Sequence, residues 1–517
     1  MNRIDFQPII YSILIVSGII IGSLFSNNIY DHKTQKNKIE SVIELIEEHY
    51  VDTLENDKFY PKIINEIMDN LDPHSSFISK SEFIGIRDDM QGSFSGIGIE
   101  FNLINDTINV VAAISGGPSE KLGILSGDKI IYVEDENVAG VDIKNKGVIK
   151  RLRGKKGTIV KIKIKRSGLK DLVDFSIKRD KIPLNSVDAS FLISYVDIGL
   201  RKNIGYIKIN RFSATTYSEF LKSVLSLLDL GMESLILDLR GNPGGYMHMA
   251  TEICDEILEE DRLIVFSKGR NRPQQNIYSN KKGVLKNTDI IVLIDEGSAS
   301  ASEIIAGAIQ DNDRGIIIGR RSFGKGLVQE QIDLNDGSAI RITTQRYYTP
   351  SGRCIQKPYK NNLKENAITD TVEAKDSLTY KTRLGRNVYG GGGILPDIII
   401  KRDTSVKYIL TYNVLSKNWI NEFCLMYSNK MQNKVSLKDE FDFIHNTEED
   451  MIYNEFLDYI NKKGNKIKAT KGEVGYLKNL IKSNIGRNIW GRNTFYEIRL
   501  KEDKFIKEAI NEIKKET

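Results

Sequence analysis

The hydrophobic pattern near the start of the chain predicts a segment that enters a membrane. Residues Ile9 to Phe25 carry no charge and are mostly apolar. This run is marginal for a bilayer-spanning helix, which needs about 20 residues, and long for the apolar part of a signal peptide. We expect residues 1–29 to be an uncleaved membrane anchor, with a cleaved signal segment as the alternative.

Two further patterns follow the apolar run. Apolar positions from Ile39 to Leu71 recur at helical spacing until Asp72-Pro73, which predicts an N-terminal helical region over residues 30–82. From Phe83 to Asp180 short apolar runs alternate with glycines, which is typical of strands joined by turns. Residues 83–180 are therefore predicted to form a small β-rich domain. Its predicted strands are Ile97 to Phe101, Ile108 to Ala112, Lys129 to Val133 and Thr158 to Lys165.

Residues 181–400 show short apolar strands that alternate with amphipathic helices. The predicted strands are Gly205 to Ile209, Leu235 to Leu239, Ile290 to Ile294 and Ile316 to Ile318. The predicted helices are Tyr217 to Leu228, Met247 to Leu258 and Ser302 to Gln310. This alternation predicts a core of parallel strands with covering helices, so the fold class is α/β with an inserted β-rich domain.

The end of the chain, residues 401–517, is predicted to be a C-terminal helical region that is appended to this core. It is rich in lysine and asparagine, and its sequence indicates no function.

Composition argues against several classes of function. The 517 residues include 74 basic and 69 acidic ones, and a net charge of +5 is too small for this length to indicate nucleic-acid binding. Three cysteines do not make a disulfide framework, and the five histidines show no metal-ligand spacing. We therefore expect neither a metal nor another cofactor.

Three motifs follow predicted core strands, and the first is Gly297-Ser-Ala-Ser-Ala-Ser-Glu303. Ser300 lies where a strand turns into a helix, so its hydroxyl is expected near the free N–H groups of a helix N-terminus, which stabilise an anion. An acyl-transfer nucleophile needs that position. Serine is also a common helix cap, and for this motif alone the cap is the simpler interpretation.

The second motif, Gly319-Arg-Arg-Ser-Phe-Gly-Lys-Gly326, places Lys325 between two glycines. A lysine that is sheltered from water has a lowered pKa and can take a proton from a serine hydroxyl. Gln329 would contact Lys325 in a helical turn, whereas in a strand the two residues would be about 13 Å apart. The motif also nearly matches a phosphate-binding loop, but Gly326 replaces the Ser or Thr that would hold Mg²⁺. Nucleotide binding is therefore the weaker alternative.

The third motif is Asp238-Leu-Arg-Gly-Asn-Pro-Gly-Gly245. Gly244 and Gly245 could present backbone N–H groups to an oxyanion, with the N–H of Ala301 as a second donor. A strand-to-helix turn that merely needs glycines is the structural alternative. The chain has no Gly-x-Ser-x-Gly motif, so a lysine is the simplest base for a nucleophilic serine.

Together and in this order, the three motifs resemble those of the C-terminal processing peptidases, or tail-specific proteases. Tyr348-Thr-Pro-Ser-Gly-Arg353 and Leu395-Pro-Asp397 extend the resemblance, which covers about Lys38 to Ile400. The resemblance implies a serine endopeptidase with a Ser–Lys catalytic dyad.

The resemblance also assigns roles to residues. It implies that Ser300 is the nucleophile, that Lys325 is the general base and that Gln329 orients the lysine. It implies an oxyanion hole formed by the N–H of Ala301 and one of Gly244 and Gly245.

The β-rich domain resembles a PDZ domain. Ser95-Gly-Ile-Gly-Ile-Glu-Phe101 is similar to its carboxylate-binding loop and strand. A PDZ groove binds a peptide by adding it as a strand and by holding its C-terminal carboxylate on backbone N–H groups. The resemblance implies that the C-terminal tails of protein substrates bind at Gly96, Ile97, Gly98 and Ile99.

These inferences predict a protease of the cell envelope, anchored in the membrane with its catalytic domain in the periplasm or extracytoplasmic space. A second copy of the chain or an adaptor protein is a further partner to test. The competing hypothesis is a PDZ scaffold with a degenerate protease fold, but all three candidate catalytic residues are present.

Overall fold

The computed structural model describes residues 11–18, 20, 38–114, 116–166, 168–193, 203–280, 283–358, 378–432, 440–447 and 449–515. The chain divides into two compact units, Met1–Leu71 and Asp72–Thr517.

The first unit is helical where it is described. Residues 11–18 are helical and lie inside the apolar run; apart from Ile20, the rest of the predicted anchor lies outside the described residues. Helix α1 spans residues 38–49 and α2 spans Asn56–Asp69, both within the predicted helical region. In the described ranges we find no helix with the length and apolar character that a membrane span requires.

The second unit contains the remaining elements. Its strands are β1 (Ser76–Ile78), β2 (Ser93–Gly96), β3 (Ile99–Ile104), β4 (Thr107–Ala113), β5 (Lys129–Val133), β6 (Glu136–Asn137), β7 (Ile159–Lys165), β8 (Val173–Lys178), β9 (Asp180–Pro183), β10 (Val187–Leu192), β11 (Ile204–Ile209), β12 (Ser234–Asp238), β13 (Leu263–Lys268), β14 (Gln275–Tyr278), β15 (Asp289–Ile294), β16 (Ile316–Gly319), β17 (Leu327–Asp333), β18 (Ala339–Tyr348), β19 (Thr379–Lys381), β20 (Asn387–Tyr389) and β21 (Ile398–Ile399). Its helices are α3 (Lys80–Met90), α4 (Pro118–Lys121), α5 (Asn145–Leu152), α6 (Thr216–Asp229), α7 (Met247–Ile257), α8 (Ala301–Asp311), α9 (Ile409–Ser416), α10 (Trp419–Gln432), α11 (Glu440–His445), α12 (Glu449–Lys462), α13 (Val474–Trp490), α14 (Arg492–Leu500) and α15 (Lys504–Lys515).

The β-rich domain is an antiparallel sheet in the order β3-β4-β5-β7-β8, with β6 paired to β5. Along β7 the side chains alternate between buried and exposed, as expected for a sheet with one face on a core. The prediction that the strand pattern begins at Phe83 is wrong for the first residues. Ser79 and Glu82 form a capping box that starts helix α3 instead.

The core sheet has the order β10-β11-β12-β15-β16-β21, and all of its pairs except β10–β11 are parallel. Helices α6, α7 and α8 bury their apolar sides against one face of this sheet. This confirms the predicted core of parallel strands with covering helices. The carboxyl ends of β12, β15 and β16 lead into the three sequence motifs, so the motifs meet at one edge of the sheet.

A second sheet was not expected from the sequence. It is antiparallel, with the order β1-β18-β13-β14 and with β17 paired to β18. Strand β17 carries Gln329 and β18 carries Tyr347, so this sheet supplies one wall of the candidate site.

The C-terminal region is helical as predicted, but its last helix is not an appendage. Helices α9 to α14 share an apolar core of their own. The apolar side of α15, with Ile506, Ala509, Ile510 and Ile513, packs on the face of the core sheet opposite α6 to α8. Helix α15 therefore completes the core around the parallel sheet.

Candidate active site

Ser300 has a strained backbone at the start of helix α8. Its φ of 55° and ψ of −113° are rare for any residue except glycine. A nucleophilic serine at a sharp strand-to-helix turn is held in a conformation of this kind, which exposes its hydroxyl. Ser300 is the N-cap of α8 and forms a capping box with Glu303, whose carboxylate accepts from the Ser300 N–H, but a cap alone does not require this strained backbone.

Glu303 joins the Ser300 segment to the Lys325 segment. Its carboxylate is fully buried, and Oε2 accepts hydrogen bonds from the N–H of Ser300 at 2.8 Å and of Lys325 at 2.9 Å. Oε1 accepts from the N–H of Gly324 at 2.8 Å and from the hydroxyl of Ser322 at 2.5 Å. Burial raises the pKa of Glu303, and these hydrogen bonds oppose that rise. The Ser300 and Lys325 segments therefore share one buried acceptor.

Lys325 and Gln329 are in contact, but not through a helical turn. The Lys325 amine donates to Gln329 Oε1 at 2.7 Å, and the Gln329 amide donates to the backbone carbonyl of His74. The predicted turn is wrong because Leu327–Asp333 is strand β17, with an irregularity in register between Val328 and Gln329. Lys325 lies in the irregular segment just before the strand, and its long side chain reaches the glutamine from there.

The surroundings of the Lys325 amine lower its pKa below the usual range for lysine. Burial is the main cause and the positive charge of Arg341 is the second, whereas Asp72 and Glu303 oppose the shift. The pKa of His74 is lowered as well, mainly by burial and then by Lys325. These surroundings shift the equilibrium of Lys325 toward the neutral amine, which is the form that can accept a proton.

Tyr347 bridges the backbones of both candidate catalytic residues. Its hydroxyl lies 2.6 Å from the carbonyl oxygen of Lys325 and 3.1 Å from that of Ser300. The side chain is buried, and burial raises the pKa of its hydroxyl well above the usual range. Tyr347 is thus a neutral donor between the two segments.

Ser300 and Lys325 come together through these shared partners. In the described ranges no hydrogen bond joins Ser300 Oγ directly to Lys325 Nζ, and the amine donates to Gln329 Oε1 instead. The assignment of nucleophile and base therefore stays a prediction that the shared partners support.

Two backbone N–H groups beside Ser300 have no acceptor among the described residues, those of Ala301 and Gly245. The N–H of Gly244 is already donated to Asn242 Oδ1 at 2.9 Å. Gly244 is needed for close packing instead, since a Cβ atom there would lie 2.7 Å from both the Ala299 oxygen and Ser300 Cβ. Gly244 lets the loop approach the serine, and Gly245 has the N–H group that is free to bind an oxyanion.

The nucleotide-binding alternative does not fit this geometry. A phosphate-binding loop leads from a strand into a helix, whose N-terminus faces the phosphates. Here the residues after Lys325 form strand β17. Gly319 to Lys325 therefore lack the helix that such a loop needs.

The loop that resembles a PDZ carboxylate site has free N–H groups. The carbonyl of Ile97 accepts from Ser119, and the carbonyl of Gly98 accepts from the N–H of Ile114. Among the described residues no acceptor binds the N–H of Ile97 or of Gly98, and Gly98 has a positive φ of 74°. Gly96 ends strand β2 and Ile99 begins strand β3, so the loop opens directly onto a strand at the edge of its sheet.

Comparison with known proteins identifies the family. The model of peptidase family S41 matches residues 203–364, and the model of a family of unknown function, DUF8443, matches residues 410–491. The chain is 37% identical over 324 residues to the carboxy-terminal processing protease CtpB of Bacillus subtilis, a match that covers 62% of this chain and 65% of that protein. It is 35% identical over 343 residues to a carboxy-terminal-processing protease of Bartonella bacilliformis, covering 65% and 76% of the two chains. The chain belongs to peptidase family S41.

Membership of family S41 makes this chain a serine-type peptidase. A solved structure of the PDZ domain of a carboxy-terminal protease from Vibrio cholerae, in complex with peptide, is also similar. That likeness has 29% identity and a TM-score of 0.17, and it covers 18% of this chain and 99% of the other.

Sequence reasoning missed two residues of this S41 site. Glu303 follows Ser300 by three positions, the spacing of a capping box, and that signal could have identified it as a partner of the Ser300 backbone. Tyr347 gave no such signal, because its contacts depend on how strand β18 folds back beside Lys325.

Proposed function

We propose that this S41 peptidase is a Ser–Lys serine endopeptidase that cuts near the C-termini of protein substrates. Ser300 is the nucleophile and Lys325 is the general base. The observation that carries the proposal is the shared acceptor Glu303 Oε2, which binds the N–H groups of both residues and so holds their segments together.

The reaction follows from this arrangement. Neutral Lys325 takes the proton of the Ser300 hydroxyl as the serine oxygen attacks the scissile carbonyl. Gln329 accepts one N–H of the amine and orients it. The ammonium then gives its proton to the leaving amine, and an acyl-enzyme remains. Neutral Lys325 then takes a proton from the water that attacks the acyl-enzyme, and it returns this proton to Ser300 Oγ as the ester bond breaks and the new C-terminus is released.

We assign stabilisation of the negatively charged oxygen of the tetrahedral intermediate to the N–H groups of Ala301 and Gly245. Neither has another acceptor in the described part of the chain; Ala301 begins helix α8, and Gly245 follows Gly244, which packs on Ser300. A backbone donor of this kind contributes about 10²–10³-fold to the rate of acyl transfer.

Substrate selection is assigned to the PDZ-like domain. The free N–H groups of Ile97 and Gly98 would bind the terminal carboxylate of a tail, and the tail would pair with strand β3. This explains how a peptidase can choose the ends of chains.

The test is hydrolysis of a protein substrate with a disordered C-terminal tail. Ser300→Ala and Lys325→Ala are each expected to lower kcat/KM by at least about 10³-fold, because each removes one member of the dyad. Gln329→Ala should lower it less. The exposed Ser218→Ala and Lys222→Ala on helix α6 are matched controls. Full activity in either dyad variant would refute the assignment.

We further propose that the N-terminal segment anchors the peptidase in the membrane and that its catalytic domain lies outside the cytoplasm. The uncharged apolar run from Ile9 to Phe25 supports this. Membrane fractionation of cells that express the full chain should recover the protein in the membrane fraction, and deletion of residues 1–29 should release it. Recovery of the full chain with the soluble proteins would contradict the proposal.

A further inference from the structure

Strand β3 of the PDZ-like domain has an open edge along which a tail could pair. Within the described residues it is the terminal strand of its sheet. On β4, the N–H of Val110 donates to the carbonyl of Asp128 and the carbonyl of Val110 accepts from the N–H of Gly127, each at 2.8 Å. Both backbone groups of Val110 therefore face away from β3. Its partner on β3 is Phe101, so the backbone groups of Phe101 face away from β4. Backbone groups alternate in direction along a strand, so the N–H and carbonyl of Leu103, two residues on, also face the open edge.

The C-terminal helices hold this strand at two residues. The side-chain amide of Asn418 donates to the backbone carbonyl of Leu103 at 3.2 Å. Arg487 and Arg492 bind the two carboxylate oxygens of Glu100 at 2.6 Å and 2.7 Å. The far end of the open edge is therefore already occupied by the chain itself.

A third contact lies on the neighbouring turn. Asn429 of helix α10 packs so closely on Gly127 that a Cβ atom at the glycine would lie 2.5 Å from the asparagine nitrogen. The helices thus touch the PDZ-like domain on strand β3 and on the turn before strand β5.

The same helices are bound to the peptidase core. Arg492 also pairs with Asp188 of strand β10, and the Tyr496 hydroxyl donates to the Asp188 carboxylate at 2.6 Å. The Asn493 side chain forms two hydrogen bonds with the backbone of Ser190, at 3.0 Å and 3.1 Å. Arg492 therefore connects the PDZ-like strand β3 to the core strand β10 through two carboxylates.

We propose that helices α9 to α14, most of which match a family of unknown function, are a clamp on the peptide-binding strand of the PDZ-like domain. The clamp holds β3 on the core and closes the open edge at Leu103. A substrate tail then pairs only with the part of β3 nearest the Gly96–Ile99 loop, from Ile99 to Phe101. This inference rests on the proposed function of that loop.

By closing part of the edge, the C-terminal helices limit how many residues of a substrate tail can pair with β3. In a strand pair each substrate residue advances by one strand residue, so a tail of three residues reaches Phe101 and one of six residues passes Leu103. With Asn418 in place, the extra residues of the longer tail find no free carbonyl at Leu103.

Hydrogen exchange of the full-length protein tests the clamp without any substrate. Arg487→Gln combined with Arg492→Gln should speed amide exchange in strand β3 by about tenfold or more, because the strand loses its ion pairs with the C-terminal helices. Arg499→Gln is the matched control. Arg499 lies on helix α14 with Arg492, but its side chain donates to Asn479 within the C-terminal helices. Equal exchange in β3 for the double variant and the control would overturn the inference.

Binding of short peptides tests the second part of the proposal, the restriction on tail length. Labelled peptides of three and six residues with free carboxylates are titrated into Ser300→Ala protein, with fluorescence anisotropy as the readout. Adding Asn418→Ala should tighten binding of the six-residue peptide by about two- to tenfold, the value of one hydrogen bond, and leave the three-residue peptide unchanged. The exposed Asn446→Ala, whose side-chain amide donates to Asp442 within the same C-terminal region, is the control.

Equal affinities of the Asn418→Ala and control proteins for both peptides would overturn the length restriction. If neither peptide bound to any variant, the proposed role of the Gly96–Ile99 loop would be refuted, and the restriction on tails with it. The exchange measurement would still decide separately whether α9 to α14 hold strand β3.

Discussion

At the scale of single residues, the site depends on a buried carboxylate and a strained serine that stabilise one another. The N–H of Ser300 and that of Lys325 both bind Glu303, while Tyr347 bonds the carbonyl side of the same two segments. These contacts hold a backbone conformation that costs free energy, about 1–3 kcal/mol for a residue of this kind. Small changes beside Ser300 should therefore have large effects on catalysis.

Gly244→Ala should lower kcat/KM by more than about 10²-fold. A Cβ atom there would lie 2.7 Å from the Ala299 oxygen and from Ser300 Cβ, so the loop or the serine must move. Gly241→Ala is the matched control, because Gly241 also has a positive φ but no atom lies within 4 Å of its added Cβ. Steady-state kinetics of both variants check this, and equal losses would show that backbone strain alone is responsible.

Tyr347→Phe should lower kcat about tenfold and leave KM nearly unchanged, since it removes the donor to the Lys325 carbonyl without touching the tail-binding loop. Tyr348→Phe is the control, because the Tyr348 ring stacks on Phe266 and keeps that contact without its hydroxyl. A change in KM alone would contradict a positioning role for Tyr347.

The pH dependence of activity should report on the Lys325 amine. Activity needs the neutral amine, so kcat/KM should rise as pH increases through the lowered pKa of Lys325. Arg341→Gln removes a positive charge that lowers this pKa, so the rise should move to higher pH. The exposed Arg346 lies on the same strand, and Arg346→Gln should leave the pH of the rise in kcat/KM unchanged. A profile that does not move in Arg341→Gln would contradict the electrostatic account.

At the scale of elements, the sequence predicted the parallel strands and helices of the core well. Strands β11, β12, β15 and β16 are short and mostly apolar, so local pattern alone identifies them. The antiparallel sheet with β17 and β18 was missed because these strands mix polar and apolar residues, and because β18 also pairs with β1 and β13, which are far from it in the sequence. For the same reason the Lys325–Gln329 contact was assigned to a helical turn.

Helix α15 shows how a segment at the end of the chain can belong to the core. Ile506→Ala should lower the free energy of unfolding by about 2–5 kcal/mol, because the side chain is fully buried against the core sheet. Lys507→Ala, one residue on and exposed, should change it by less than about 0.5 kcal/mol. Urea unfolding followed by circular dichroism checks both. A loss as small as that of the control would mean that α15 is not part of the cooperative core.

At the scale of the whole molecule, the site draws on segments that are far apart in the sequence. The loop after Asp72, the glycines after β12, the start of α8 and the segment before β17 contribute to it. Sequence motifs named Ser300, Lys325 and Gln329, because each carries its own local pattern. Motifs could not name Tyr347, whose contacts depend on how strand β18 packs beside Lys325. They also could not favour Gly245 over Gly244 as the proposed oxyanion donor, since that choice depends on which N–H groups remain free after folding.

The most direct test of the central claim is covalent labelling by a serine-directed phosphonate, followed by mass spectrometry. We expect a single adduct on Ser300 in the unmodified protein, forming faster as pH rises, and at least about 10²-fold slower labelling in Lys325→Ala. Labelling at another residue, or an equal rate without the lysine, would contradict the assignment of Ser300 and Lys325 as nucleophile and base.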